Sequence, residues 1–143
     1  MSVGKLKAVV AKPGNCLQLT WDDGYIAPVD LAAIIAGHKG LKPIKTASAF
    51  AQAKLSRDKW SVEWPGGIDF GATQLRRWAS EQAGDTMASA DFRAWMNAHS
   101  MTLDDAARAL GLSRRMVAYY LSGEKPIPRT VMLATKGWSA EYA

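Results

Sequence analysis

The chain has 143 residues, of which 48% are hydrophobic, a formal net charge of +5 and one cysteine. This length allows one medium domain or two small ones with a real core, and a lone cysteine excludes an internal disulfide. No apolar run approaches the roughly 20 residues that cross a bilayer, and no long apolar segment follows the N-terminal lysines, so we expect a cytoplasmic protein with no signal peptide and no membrane partner.

The first half of the chain combines short strands with short helices. Three segments separated by turn residues are predicted as antiparallel strands, Leu6–Lys12, Cys16–Trp21 and 25–29, and the second alternates apolar and polar side chains. Asp30 is expected to cap a helix over residues 31–36. Further along the chain we predict an irregular stretch (41–45), a helical turn (46–52), extended segments (53–57, 60–64 and 68–70) and a helix (73–80). Together these elements predict an α+β unit built on one small antiparallel sheet.

Three short motifs in this half follow the pattern of a known family. They are Asp23-Gly24 after the second strand, Asp30-Leu31 at the predicted helix start, and the run Trp-Pro-Gly-Gly-Ile-Asp that begins at Trp64. On these motifs, residues 6–78 resemble a small uncharacterised bacterial domain family whose members lie beside candidate toxin genes, some with a helix-turn-helix behind them. The resemblance implies a partner-binding or antitoxin-like role, with a toxin-like protein as the partner of this half.

Candidate catalytic groups are few. Cys16 lies on a predicted strand and His38 in a glycine-flanked loop, and no motif brings them together with an orienting third group. Cys16, His38 and His99 also lack the spacing of metal ligands. We therefore expect no enzyme activity, no cofactor and no metal. Four tryptophans are expected mainly in the core of this half, and an exposed one would favour a partner-binding patch: Trp21, Trp60, Trp64 and Trp78.

The stretch from Thr102 to Gly123 predicts two short helices joined by a turn. The first has an apolar face at helical spacing, begins at the N-cap Thr102 and ends at Gly111, which can take the left-handed conformation. Ser113 is expected to cap the second helix, which Gly123 ends. This is the pattern of a helix-turn-helix. With a further helix over 129–136 starting at Pro128, and small polar residues at 82–90 marking a boundary, we predict two domains, 1–84 and an all-α domain over 85–143.

The outer face of the second helix carries the groups that fit DNA. Arg114 and Arg115 lie in its first turn, with Ala118 and Tyr119 one turn further on. Because an arginine fork matches the O6 and N7 acceptors of guanine, and a recognition helix presents its N-terminal residues to base edges, we predict that these four residues contact bases. Four others are predicted to hold phosphates through side chains and helix N-terminal amides: Thr102, Ser113, Lys125 and Arg129.

A second resemblance covers residues 92–138. The matching residues are Ala106-Ala107, Leu110-Gly111-Leu112-Ser113, Val117, Tyr120 and Gly123. On them, this region resembles the phage-repressor (lambda repressor-like, Xre-type) helix-turn-helix family. The resemblance implies binding to operator DNA by a homodimer.

Charge weighs against a simple DNA-binding reading of the second half. From residue 85 onward, seven basic side chains stand against six acidic ones, so this half is close to neutral, unlike a strongly basic DNA-binding domain. The sequence predicts a sequence-specific DNA-binding transcriptional regulator and, in its most specific form, an autoregulating antitoxin-like protein. It leaves open a protein-interaction module whose helix-turn-helix serves docking or dimerisation, and it identifies neither operator nor effector.

Overall fold

The computed structural model describes residues 4–142. The chain divides into two compact units, Met1–Gln82 and Ala83–Ala143. The predicted domain ranges, 1–84 and 85–143, include residues 1–3 and 143, which lie outside the described residues. The predicted fold class is confirmed: an antiparallel-sheet unit is followed by a mainly helical one.

The first unit begins with an antiparallel meander of β1 (Leu6–Lys12), β2 (Cys16–Trp21) and β3 (Ile26–Asp30), in the order β1-β2-β3. Alternation along the strands sends Leu17 and Leu19 into the core. The third strand starts one residue later than predicted. Tyr25 belongs to the turn instead, because its N–H donates to the Asp23 carboxylate at 3.1 Å.

The prediction of one small sheet is wrong. β4 (Lys54–Leu55), β5 (Ser61–Trp64) and β6 (Ile68–Gly71) form a second three-stranded sheet, in the order β4-β5-β6. The two sheets share no strand ladder within the described residues. Alternation along a strand predicts which side chains are buried but not which strands pair, and this is why the number of sheets was not predictable.

Three helices and a 3-10 helix pack against these sheets: α1 (Ala32–Ala36), the 3-10 helix Lys39–Ile44, α2 (Ala47–Phe50) and α3 (Ala72–Gln82). The segment predicted as irregular lies largely in the 3-10 helix, because the fixed φ of Pro43 suits this conformation. Asp30 ends β3 rather than occupying the N-cap, which is Leu31. The Asp30 carboxylate still accepts the Ala32 N–H at 2.9 Å.

Two of the four tryptophans are anchors of this core. Trp21 is fully buried and its Nε1 donates to the Ala72 carbonyl at 3.3 Å. Trp64 is buried and donates to the Phe50 carbonyl at 2.9 Å. Trp60, by contrast, is 42% exposed, with the Lys5 ammonium 5.9 Å from its ring centroid.

Arg76 of α3 joins the helix to the turn between β2 and β3. Its Nη1 and Nη2 donate to the two carboxylate oxygens of Asp23 at 3.2 and 3.0 Å. The guanidinium carbon lies 3.9 Å from the Tyr25 ring centroid and 5.1 Å from that of Trp21. The Arg76 hydrogen bond is the main reason that the pKa of Asp23 is lowered. One side chain therefore ties the helix to both the turn and an aromatic pair.

We expect Arg76→Lys to destabilise the first unit by about 1–2 kcal/mol, because lysine keeps the charge but loses the fork and the stacking on Tyr25. Urea unfolding followed by tryptophan fluorescence measures the difference. The matched control is Arg57→Lys at an exposed turn position, which should change stability by less than about 0.5 kcal/mol. Equal effects of the two substitutions would contradict the role given to Arg76.

The second unit contains β7 (Thr86–Met87), α4 (Ser89–Ala98), α5 (Leu103–Leu110), α6 (Arg114–Ser122), β8 (Ile127–Pro128) and α7 (Arg129–Tyr142). The all-α prediction is wrong in one respect, because β7 pairs with β8. Pro128 therefore ends a strand instead of opening the last helix. This helix also continues well past residue 136, where it was predicted to end. Within residues 4–142, every helix is too short or too polar to cross a membrane.

Phe92 of α4 is at the centre of the second core. It is completely buried, and its ring lies 5.7 Å from that of Trp95 and 5.8 Å from that of Tyr120 on α6. Ala106 and Val117 are also completely buried. Buried residues of α4, α5 and α6 therefore share one hydrophobic core.

Candidate nucleic-acid interface

The turn between α5 and α6 follows from two residues. Gly111 has φ 68° and ψ 33°, the left-handed conformation that costs a residue with a Cβ about 1–2 kcal/mol. Beyond it, the Leu112 N–H donates to the Ala107 carbonyl at 2.9 Å. Ser113 then caps α6, because its Oγ accepts the Met116 N–H at 3.0 Å. The two predicted helices and the glycine turn between them are present, with α6 as the second helix.

Thr102 and Asp105 form a reciprocal capping box at the start of α5. The Asp105 N–H donates to Thr102 Oγ1 at 3.1 Å, and the Thr102 N–H donates to Asp105 Oδ2 at 3.0 Å. Arg108 donates to the other carboxylate oxygen at 2.7 Å. The backbone N–H of Thr102 is the main reason that the pKa of Asp105 is lowered. Thr102 is thus an N-cap as predicted, and its phosphate contact stays a prediction.

The pH dependence of stability is expected to include a contribution from Asp105. Its pKa in the folded state lies below the ordinary value of 3.8, so the contribution is complete above that value and disappears as the pH falls through the lower one. Asp105→Asn should therefore reduce the acid-induced drop in the urea midpoint of the second unit, measured at about pH 6 and about pH 3. Thr102→Ser is the control, because it keeps the acceptor hydroxyl and should preserve the drop. If Asp105→Asn and the natural chain show the same pH profile, Asp105 does not contribute to the pH dependence of stability.

Three of the predicted site residues converge on one ring. Arg115 Nε donates to the Tyr119 hydroxyl at 2.6 Å, and the guanidinium carbon lies 5.4 Å from the Tyr119 ring centroid. The Lys125 ammonium lies 4.9 Å from the same centroid. We call Arg115, Tyr119 and Lys125 the Tyr119 cluster. Two cations are thus gathered on an aromatic ring at the surface of α6.

Lys125 reaches this ring because the chain reverses after α6. Gly123 takes φ 80°, and the Lys125 N–H then donates to the Tyr119 carbonyl at 3.4 Å. The Ser122 hydroxyl donates to the same carbonyl at 3.1 Å. Lys125 therefore follows the end of the helix closely instead of extending away from it.

Arg114 faces an acidic residue of the preceding helix. Its Nε lies 3.9 Å from Asp104 Oδ1, and both side chains are mostly exposed. An exposed pair of this kind contributes about 0–1 kcal/mol, so an anionic ligand can displace Asp104 at small cost. Sequence reasoning did not identify Asp104, because its contact with Arg114 depends on how α5 and α6 pack against each other.

The remaining predicted residues divide into two groups. Ser113 is the exposed N-cap of α6, and Ala118 is a half-buried residue of that helix. Arg129 lies elsewhere in the unit: its Nη1 donates to the Gly84 carbonyl at 3.0 Å, beside the β7–β8 pair. The structure thus gives Arg129 a contact that sequence reasoning missed, and its predicted phosphate contact stays a prediction.

Cys16 and His38 were weighed as catalytic groups. Cys16 is a partly buried residue of β2 opposite Asp30, and burial is the main reason that the pKa of its thiol is raised. A raised pKa leaves less of the nucleophilic thiolate at neutral pH. His38 is exposed ahead of the 3-10 helix. Among residues 4–142, no group of three or more His, Cys, Asp or Glu side chains could hold a metal ion.

Two comparisons with known proteins found similarities, one over the first unit and one over nearly the whole chain. A family model described as "Protein of unknown function (DUF2442)" matches residues 6–81. The crystal structure of putative DNA binding protein NE0471 from Nitrosomonas europaea ATCC 19718 is similar at 40% sequence identity and a TM-score of 0.59, over 98% of this chain and 91% of that chain. No phage-repressor family model matches, and no curated protein matches the chain.

Proposed function

This chain belongs to the DUF2442 family of proteins of unknown function, and we propose that it binds double-stranded DNA in a sequence-specific manner through α6. The observation that carries the proposal is the Tyr119 cluster, which gathers two cations on the exposed surface of a helix that follows a left-handed glycine turn. This is the position from which a recognition helix reads the major groove. The similarity to NE0471, which is described as a putative DNA binding protein, supports the same proposal.

The positive charge of the site comes from a few side chains near α6 and not from the net charge of the second unit. The second unit is close to neutral overall, but Arg114, Arg115 and Lys125 lie within about one turn of the ends of α6. Local positive charge is sufficient to attract a phosphate backbone when the rest of the surface is mixed in sign. Phosphate contacts by Ser113, Lys125 and the N-terminal amides of α6 would set the register, and the arginines would read bases.

The more specific form of the proposal is a homodimeric transcriptional regulator. Two copies would place two recognition helices in successive major grooves, so that the operator has pseudo-palindromic half-sites about 34 Å apart. The resemblance of the first unit to domains beside candidate toxin genes favours autoregulation of its own operon and an antitoxin-like role. In that role the first unit would bind a toxin-like protein.

A second candidate function is protein binding by the first unit. Adjacent positions on the outer face of its first sheet, aligned across the strands, are Val10-Gln18-Pro28 and Ala8-Thr20-Ile26. None of these residues is charged, and Val10 and Ile26 are 49% and 60% exposed. An antiparallel sheet with a solvated face normally alternates apolar-in and polar-out, so the exposed Val10 and Ile26 favour a docking surface at these two rows. The next row on the same face contains the charged Lys12 and Asp30. The helix-turn-helix would then serve docking or dimerisation.

One experiment separates the two candidates. The full chain is titrated by fluorescence anisotropy into duplex DNA from upstream of its own gene and into a scrambled duplex of the same composition. DNA reading predicts tighter binding to the natural duplex and a steep fall in affinity between about 50 and 200 mM salt. Equal, weak affinity for both duplexes would overturn the DNA proposal. Analytical ultracentrifugation of the natural complex, with a 2:1 protein-to-duplex ratio expected, tests the dimer.

A further inference from the structure

The hydrogen bond between Arg115 and Tyr119 restricts how this arginine can meet a base. The two residues are four apart on α6, so their side chains lie on the same face. Arg115 Nε donates to the Tyr119 hydroxyl at 2.6 Å, and the ring also attracts the guanidinium through its π face. The guanidinium is therefore held at two points before any ligand arrives.

Only one pair of donors remains on the guanidinium for a two-point contact. A guanidinium has a side edge, formed by Nε and one Nη group, and an end edge, formed by Nη1 and Nη2. The hydrogen bond to Tyr119 uses Nε and thus the side edge. The end edge has no hydrogen-bond partner among residues 4–142. It presents two parallel N–H groups, which match the O6 and N7 acceptors of guanine.

Lys125 contacts the same ring and helps to hold the backbone of Tyr119 in place. Its ammonium lies 4.9 Å from the Tyr119 ring centroid, while Ser122 and Lys125 donate to the Tyr119 carbonyl. The backbone that carries Tyr119 is thus held at the end of the helix. The Tyr119 hydroxyl accepts from Arg115 and keeps its own proton for an acceptor outside the cluster.

We propose that Tyr119 is a positioning residue that fixes Arg115 end-on, so that Nη1 and Nη2 together read one guanine in the major groove. This inference rests on the proposed DNA-binding function and adds to it a base, an edge of the arginine and the residue that selects this edge. A guanidinium held in advance loses less freedom on binding than a free one, so the benefit of Tyr119 is specific to the base that Arg115 reads.

The test uses the full chain and a duplex selected by it from a random DNA library. Tyr119→Phe keeps the ring, and with it the attraction for Arg115 and Lys125, but removes the hydroxyl that accepts from Nε. Single-base variants of the duplex identify the position at which Arg115→Ala loses its preference for guanine. At this position, Tyr119→Phe should lower the preference for guanine over adenine about five- to tenfold, with affinity for random DNA changed by less than about twofold.

A modified base tests whether N7 of this guanine is one of the two acceptors that Arg115 contacts. 7-Deazaguanine replaces the N7 acceptor by a C–H group, so at the Arg115 position it should weaken binding by the natural chain about tenfold and binding by Tyr119→Phe by clearly less. Tyr142→Phe is the matched control, since Tyr142 is an exposed residue of α7. It should behave as the natural chain in every assay, and the thermal midpoints of all variants report whether they are folded.

Each outcome bears on one hypothesis. If Tyr119→Phe keeps the full guanine preference that Arg115→Ala loses, Tyr119 does not position Arg115 and the inference is wrong, while DNA binding stands. If Tyr119→Phe weakens binding equally to every sequence, Tyr119 contacts phosphate or supports the fold, and the inference is again wrong. If the natural chain itself selects no sequence, the proposed function fails first.

Discussion

Replacing Arg115 by alanine should lower the affinity of the chain for its selected DNA site about 5- to 150-fold per half-site, while binding to random DNA falls by much less. A two-point contact from an arginine to guanine provides about 1–3 kcal/mol of discrimination, and the effect multiplies when two copies read two half-sites. Fluorescence anisotropy at a fixed salt concentration, with specific and random duplexes, measures both affinities.

The matched control for this substitution is Arg93→Ala. Arg93 is exposed on α4, so its removal changes the net charge of the second unit by the same amount without touching α6. Both variants should show the same small loss in binding to random DNA. Equal losses on the specific duplex would mean that only charge matters, and Arg115 would then have no role in base reading.

Residues that act within one turn of their partners were predictable from the sequence. Thr102 and Ser113 cap the helices that follow them, and Gly111 takes the left-handed conformation, as expected. These contacts join positions at most a few residues apart, so the spacing along the chain already contains their geometry. For the same reason, Arg115 and Tyr119 were expected on one face of α6.

Contacts between distant parts of the chain were not predictable in the same way. The contact between Arg129 and Gly84 was not expected, because it depends on the pairing of β7 with β8, which brings these segments together. The ion pair between Arg114 and Asp104 likewise depends on how α5 and α6 pack. The pattern of apolar residues predicts which face of each helix or strand is buried. It does not predict which strands pair or how helices cross, because these depend on the whole core.

Charge alone would also have misjudged the candidate site. The second unit has nearly equal numbers of acidic and basic side chains, and the acidic ones are not uniformly placed. Asp105 is occupied by the capping box and Arg108, while Asp104 forms a long, exposed pair with Arg114. Arg115 and Lys125 instead gather at Tyr119. The net charge of the second unit is therefore close to zero although the surface around Tyr119 is locally positive.

The core of the second unit depends strongly on Phe92. Its ring is completely buried between Trp95 and Tyr120, and Tyr120 belongs to α6, the predicted recognition helix. Truncating a buried phenylalanine to alanine costs about 3–5 kcal/mol, through lost transfer energy and the cavity that remains. A unit of roughly 60 residues has a total stability of about 3–9 kcal/mol.

We therefore expect Phe92→Ala to remove most of the stability of the second unit, while residues 6–81 keep theirs. Amide NMR spectra of the full chain recorded along a urea titration measure this directly: resonances of α4 to α6 should lose their dispersion at a much lower urea concentration than in the natural chain, while those of the first unit should not. Leu133→Ala is the control, because Leu133 is 48% exposed on α7 and its truncation should cost less than about 0.5 kcal/mol. Loss of dispersion in both units at the same urea concentration would show that they fold as one cooperative body, since the buried cluster that contains Phe92 belongs to the second unit.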